Sequence, residues 1–102
     1  MKLNSFFEKI ESGIQVGKRF SFIANNEICW SSVGLQKWKG KYKVYIDEIL
    51  ESKMASEEYQ REELLEFEHI SEAISYIERN TKIKFYDLTP CKGLRIFNPN
   101  FV

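Results

Sequence analysis

Residues 67–99, FEHISEAISYIERNTKIKFYDLTPCKGLRIFNP, constrain this chain more than any other stretch. The pattern predicts one helix, one strand, a tight turn and a closing strand in close succession. Ile70, Ala73, Ile74 and Ile77 recur at i, i+3, i+4 and i+7, a single apolar stripe with Glu78 and Arg79 facing outward. Ser71 is the expected N-cap, because its hydroxyl can accept from an orphan backbone N–H. Glu72 places negative charge in the first turn, where the helix dipole favours it. Asn80 suits the left-handed residue that ends a helix. Thr81 and the alternation Ile83/Phe85 predict a strand. Asp87-Leu88-Thr89-Pro90 stops it, since proline donates nothing to a sheet ladder. Gly93 permits a positive φ, and Ile96-Phe97 reads as a short closing strand ended by Asn98-Pro99.

The rest of the chain supplies what this unit needs to complete a core. Ser5-Phe6-Phe7-Glu8 reads as a capping box opening a helix of about two turns, with Phe6, Phe7 and Ile10 on its apolar face. Gly13 is placed to end it. Residues 18–24 and 27–33 read as two strands of a hairpin across Asn25-Asn26, both of which tolerate positive φ. Phe20 and Phe22 share one face, as do Ile28 and Trp30. Residues 37–41 read as a basic link with a turn at Gly40. Tyr42, Val44 and Ile46 then alternate with Lys41, Lys43 and Tyr45, a strand whose polar face is expected in solvent. Residues 51–60 read as a polar loop with a partial helical turn. Residues 61–68, REELLEFE, fit strand alternation and helix composition alike; the nearness of Ser71 favours strand.

Two helices and about five short strands fit a single α+β domain over residues 1–102. The arrangement expected is two layers, a mostly antiparallel sheet with both helices on one face. At 102 residues and 43% hydrophobic content, a core without disulfides is feasible. Cys29 and Cys91 match no metal or redox spacing and read as buried thiols. No secretory leader and no membrane span is legible, so the expected location is the cytoplasm.

The inventory of catalytic chemistry is thin, and no enzyme activity is expected. His69 stands alone, and pairing it with Cys91 or Cys29 and Asp87 has no support from spacing. It reads as a half-exposed residue ahead of a helix cap. One His and two Cys make no zinc set. No phosphate-cradling glycine loop is present. No metal and no cofactor is expected. The run Lys37-Trp38-Lys39-Gly40-Lys41-Tyr42-Lys43, extended to residue 45, interleaves cations with rings and could serve a small nucleic-acid-binding or regulatory module. A pI near 6.6 lacks the basic footprint of such a binder, and lysines that blunt an exposed strand explain the run as well.

Charge is distributed unevenly although the total is zero. Residues 1–46 carry +5, residues 47–68 carry −7, and residues 69–102 carry +2. Asp47, Glu48, Glu57, Glu58, Glu62, Glu63 and Glu66 therefore form a candidate face for a strongly basic protein, with a solvated acidic loop as the plainer alternative. A nuclease is the natural basic partner, since its surface is built for phosphate.

The C-terminal third resembles small immunity proteins of bacterial contact-dependent inhibition and related polymorphic-toxin systems. Phe67, Glu72-Ala73, Tyr76-Ile77 and Asn80-Thr81 carry the likeness first. Ile83, Asp87-Leu88, Pro90, Lys92-Gly93, Ile96-Phe97 and Pro99 continue it. The pattern is similar to a Phe-x-x-x-x-Glu-Ala helix, an Asp-Leu-x-Pro-x-Lys-Gly turn and a terminal Phe-x-Pro. Members of that class are small, cytoplasmic and without activity, and each binds one cognate toxin domain, frequently a nuclease. The resemblance implies a toxin-neutralising protein that acts by occlusion. It implies no particular binding residues.

Overall fold

A computed structural model describes residues 3–100, with side chains described from Ser5 onward. Two helices flank one five-stranded antiparallel sheet, as the α+β reading expects. In chain order the elements are α1 (Leu3–Glu11), β1 (Val16–Ala24), β2 (Glu27–Trp38), β3 (Lys41–Leu50), β4 (Arg61–Phe67), α2 (Ile70–Asn80) and β5 (Thr89–Pro90). Single 3₁₀ turns occur at Glu51–Lys53 and Phe85–Asp87. The strand order is β4-β3-β2-β1-β5, so β4 is an edge.

The turns follow from residue chemistry. Asn25 and Asn26 take φ of 53° and 62°, which gives the first hairpin a two-residue loop with the twist its strands require. Lys39 and Gly40 close the second hairpin in the same way, at φ of 51° and 81°. Residues 37 and 38 accordingly belong to β2 and not to a basic link. Gly13, at φ 86°, ends α1: its N–H reaches Ile10 O and the N–H of Ile14 reaches Lys9 O, both at 3.0 Å.

One face of the sheet receives both helices. Phe6 and Ile10 of α1 and Ala73 and Ile77 of α2 meet Val16, Val33, Leu35, Val44 and Ile46 in one buried cluster. The other face is half covered, which the alternation in β3 does not foretell. Lys43 and Tyr45 are buried, not solvated, and the C-terminal segment crosses over Tyr45. Phe97 stacks on Tyr45 with ring centroids 5.7 Å apart. Gly17 and Gly34 are register partners on β1 and β2 and make the room. A Cβ on Gly34 would stand 2.7 Å from the Phe97 ring, and one on Gly17 would stand 2.3 Å from Ile96 Cδ1.

Several local expectations are corrected. Ser5 lies inside α1 and not at its cap. The N-cap of α2 is His69, two residues before Ser71, and Glu72 Oε1 accepts the His69 N–H at 3.1 Å. Helix α2 ends through Thr81 in extended geometry, with Thr81 Oγ1 donating to Ile77 O at 2.7 Å, so Asn80 needs no left-handed turn. Residues 81–85 form no strand, because Leu88 and Ile83 are buried as a loop closing the helix layer. Thr89-Pro90 pairs with β1 as an edge strand, a place where proline's missing N–H does no harm. Ile96-Phe97 is not a strand either; the segment is held by side-chain bonds instead of a ladder.

Two stability tests follow. Ile77 is fully buried, so Ile77→Ala should cost about 2–5 kcal/mol. Ile74 is half-buried against the same cluster and should cost less on truncation. Gly34→Ala should cost about 1–3 kcal/mol through overpacking. That cost should largely vanish in a Phe97→Ala background, a coupling that denaturant titration of the double-mutant cycle measures.

Candidate protein-binding face

The uncovered half of the second sheet face is a shallow groove. Arg19 of β1, Trp30 and Ser32 of β2, and Asp47 and Ile49 of β3 form its floor, and Met54 and Tyr59 overhang it from the 51–60 loop. Its volume is about 270 Å³. Trp30, Met54 and Tyr59 are all exposed here, because no segment of the described chain crosses this half. The loop is anchored at both ends. Glu27 accepts from the Ser52 N–H and hydroxyl, each at 3.0 Å, and Gln60 N–H reaches Glu48 O at 2.9 Å.

Strand alternation sorts the seven candidate carboxylates. Glu48 and Glu63 point to the helix face, where Arg61 lies between them. Its Nη1 is 3.2 Å from Glu48 Oε2, its Nε pairs with Glu63, and Nη1 also reaches Asn80 O at 2.7 Å. Tyr76 donates a further bond to Glu63. These two side chains bind β3, β4 and α2 together and are not part of an outward acidic face. Glu66 lies on the groove side, where Lys43 pairs with it.

Asp47, Glu57, Glu58 and Glu62 form no ion pair among the described residues. Asp47 Oδ1 accepts the Ser32 N–H at 2.8 Å, and Oδ2 lies 3.0 Å from the Tyr45 hydroxyl. Glu62 Oε2 lies 2.8 Å from the same hydroxyl. A phenol has one proton, so it can donate to one of the two carboxylates at a time. Burial pushes the Asp47 carboxyl above its ordinary value, Glu62 adds to the rise, and the bonds from Tyr45 and Ser32 oppose it. Burial first, then the bond to Glu62 and the charge of Asp47, hold the Tyr45 phenol far above its usual range. Two carboxylates thus meet around one phenol at the edge of the groove, where Arg19 is the cation of the floor but pairs with neither of them among the described residues. Trp30 and Tyr59 of the groove, and Tyr45 beside it, carry no sequence signal of a site; strand register places Trp30 and Tyr45 on the face of Asp47 and Glu62, and the 51–60 loop places Tyr59.

The basic-aromatic run is spent inside the fold. Lys37 Nζ is 2.8 Å from Glu11, Lys41 pairs with Glu68, and Lys43 with Glu66. Trp38 is half-buried, so its ring is not presented for stacking. These pairs weigh against phosphate binding through residues 37–45. His69 is exposed at its helix end, and both thiols are free, with burial as the leading cause of a raised pKa in each. Among the described residues no cluster of three metal-ligating side chains occurs, and no helix is long and apolar enough to cross a membrane.

No family model, characterised protein or solved structure matches this chain. Its functional reading therefore stands on the chemistry of the groove.

The two kinds of carboxylate should respond oppositely to pH. Asp47 has a folded-state pKa above its unfolded value, so stability is lost as pH rises through that window. Asp47→Asn should stabilise the protein near pH 7, with an advantage that fades below the ordinary value of 3.8. Glu63 is held below 4.5, chiefly by Arg61, so it contributes stability above 4.5 that disappears as pH falls through its lowered pKa. Glu63→Gln should therefore destabilise near pH 7 and do so less in acid. Unfolding midpoints of both variants at neutral and acid pH check the signs.

Proposed function

We propose that this protein is a cytoplasmic immunity protein, which binds a cognate bacterial toxin domain of basic surface, such as a nuclease, and neutralises it by occlusion. The observation that supports the reading is the groove beside β3, where Asp47 and Glu62 share one phenol proton and neither forms an ion pair among the described residues. A lysine or arginine from a partner supplies the missing charge and relieves the repulsion between the two carboxylates. The exposed rings of Trp30 and Tyr59 provide the apolar and cation–π contact that such a side chain favours. Glu57 and Glu58, at the loop above, add long-range attraction that speeds encounter. Occlusion requires no catalytic group on the inhibitor.

Binding kinetics with the toxin domain encoded by the adjacent upstream reading frame test the proposal at two salt concentrations. Replacing Glu57, Glu58 and Glu62 by Gln should slow association and flatten its salt dependence, since exposed charges act over about 8–10 Å at physiological salt. Asp47→Asn should speed dissociation, with a loss of about 2–5 kcal/mol if a toxin cation is buried on it. Glu63→Gln is the control: it should alter stability and leave the association rate unchanged. Wild-type kinetics in the groove variants would overturn this assignment of the interface.

A further inference from the structure

Strand β4 ends the sheet, and among the described residues no strand pairs with its outer edge. Such an edge is a template for another chain, and proteins that do not use it guard it with charge, bulges or a covering element. On its groove side the only charges the strand itself carries are carboxylates, one of which, Glu66, is paired with Lys43 of β3. On the groove side the edge presents Glu62, Leu64 and Glu66, with Leu64 50% exposed between the two carboxylates.

On the helix side the edge opens into a cleft. Helix α2 runs back alongside β4, fixed by Arg61 Nη1 on Asn80 O at one end and by the Tyr76 hydroxyl on Glu63 further along. A depression of about 310 Å³ remains there, lined by Phe67 of β4 and by Glu72, Ser75, Tyr76, Arg79 and Asn80 of α2. Phe67 and Tyr76 form its aromatic floor, with ring centroids 5.6 Å apart. An unpaired strand edge beside a helix-walled cleft is the geometry that accepts an extended peptide, with backbone bonds on one side and alternate side chains in the cleft.

We propose that β4 and α2 form a strand-addition site for an extended, basic segment of another protein. An added strand lies about 4.8 Å beyond β4 and sends alternate side chains to each face. Those on the groove side meet Glu62, Leu64 and Glu66, so the complementary pattern is cation, apolar residue, cation at every second position. Opposite charges directly across strands stabilise and like charges destabilise. That rule disfavours a second copy of this chain. Antiparallel pairing of β4 with itself about Leu64 sets Glu62 opposite Glu66 twice. The outer edge of β1 offers Arg19, Ser21 and Ile23 on the same face, one cation against two carboxylates. Glu62 borders both surfaces, but the inference rests on the unpaired edge of β4 and the α2 cleft and not on the reading of the groove.

The probe is the peptide acetyl-Thr-Lys-Thr-Val-Thr-Lys-Thr-amide, titrated into the full chain with amide NMR and hydrogen exchange as readouts. Shifts should centre on β4 and the cleft face of α2, and β4 amides that exchange freely alone should become protected. A peptide with Glu in place of both Lys should bind at least about tenfold more weakly, given like charges across the pair. Methylating alternate peptide nitrogens on the pairing edge should abolish binding while leaving every charge in place. The double variant Glu62→Lys/Glu66→Lys, with its fold checked by circular dichroism, should reverse the preference between the two peptides. Binding that survives backbone methylation would show capture by charge alone and overturn the proposal. So would shifts confined to the groove, no binding at about millimolar peptide, or concentration-dependent self-association that protects β4 without peptide.

Discussion

The Gln15 side chain is the interaction on which the two-sided packing of the sheet depends. It is buried just before β1, and its amide uses every bonding site it has. Nε2 donates to Gln36 Oε1 at 2.8 Å and to Phe97 O at 2.9 Å. Oε1 accepts from the N–H groups of Ile96 and Phe97 at 2.8 and 3.3 Å. Gln36 passes the network on to Gly13 O at 2.8 Å, and Gln15 O accepts from Cys91 N–H at 3.0 Å. One side chain thus joins the end of α1, the turn-proximal last residues of β2 and the C-terminal segment. A satisfied buried network of this kind fixes one arrangement, because any shift leaves polar groups unpaired at a cost of about 1–3 kcal/mol each.

That clamp decides which part of the sheet remains available. The C-terminal segment covers the half of the second face where Gly17 and Gly34 let it lie close. Tyr45 is pinned beneath Phe97, and its hydroxyl end emerges at the boundary between covered and open surface. Asp47 and Glu62 meet it there. The groove and its charge therefore lie on the half of the face that Ile96 and Phe97 leave open. Arg61 completes the division by tying Glu48 and Glu63 to the helix side. The acidic surplus of residues 47–68 is in this way split between a structural buttress and an outward-facing remainder.

Much of the fold was legible before any coordinates. The stripe Ile70, Ala73, Ile74, Ile77 specified α2, the asparagine pair specified the first hairpin, and Gly13 specified the end of α1, because each depends on neighbours within a few residues. Strand β4 was the ambiguous segment, since Glu and Leu suit either state. Its pairing with β3, Val44 against Leu65 and Tyr42 against Phe67, settled the matter by burying one side. The local errors share a cause. Residues 81–85 and 96–97 have strand-like composition yet find no strand to pair with, and β-propensity expresses packing more than backbone preference.

The sequence by itself determined the two helices, the central hairpin strands, the turns that need positive φ, and the segregation of charge along the chain. These are properties of short stretches, set by sterics, periodicity and composition. Tertiary structure alone decided that Lys37, Lys41 and Lys43 are matched by carboxylates distant in sequence, that Lys43 is buried and Tyr45 lies under Phe97, and that two of the seven candidate carboxylates face the helix side. Strand register brings Glu62 to Tyr45 across a separation of 17 residues, and the crossing of the C-terminal segment brings Phe97 to Gln15 across 82. No local pattern encodes such meetings. They arise when burial of the apolar faces fixes how the strands align, and every polar group then bonds with whatever that alignment has placed beside it.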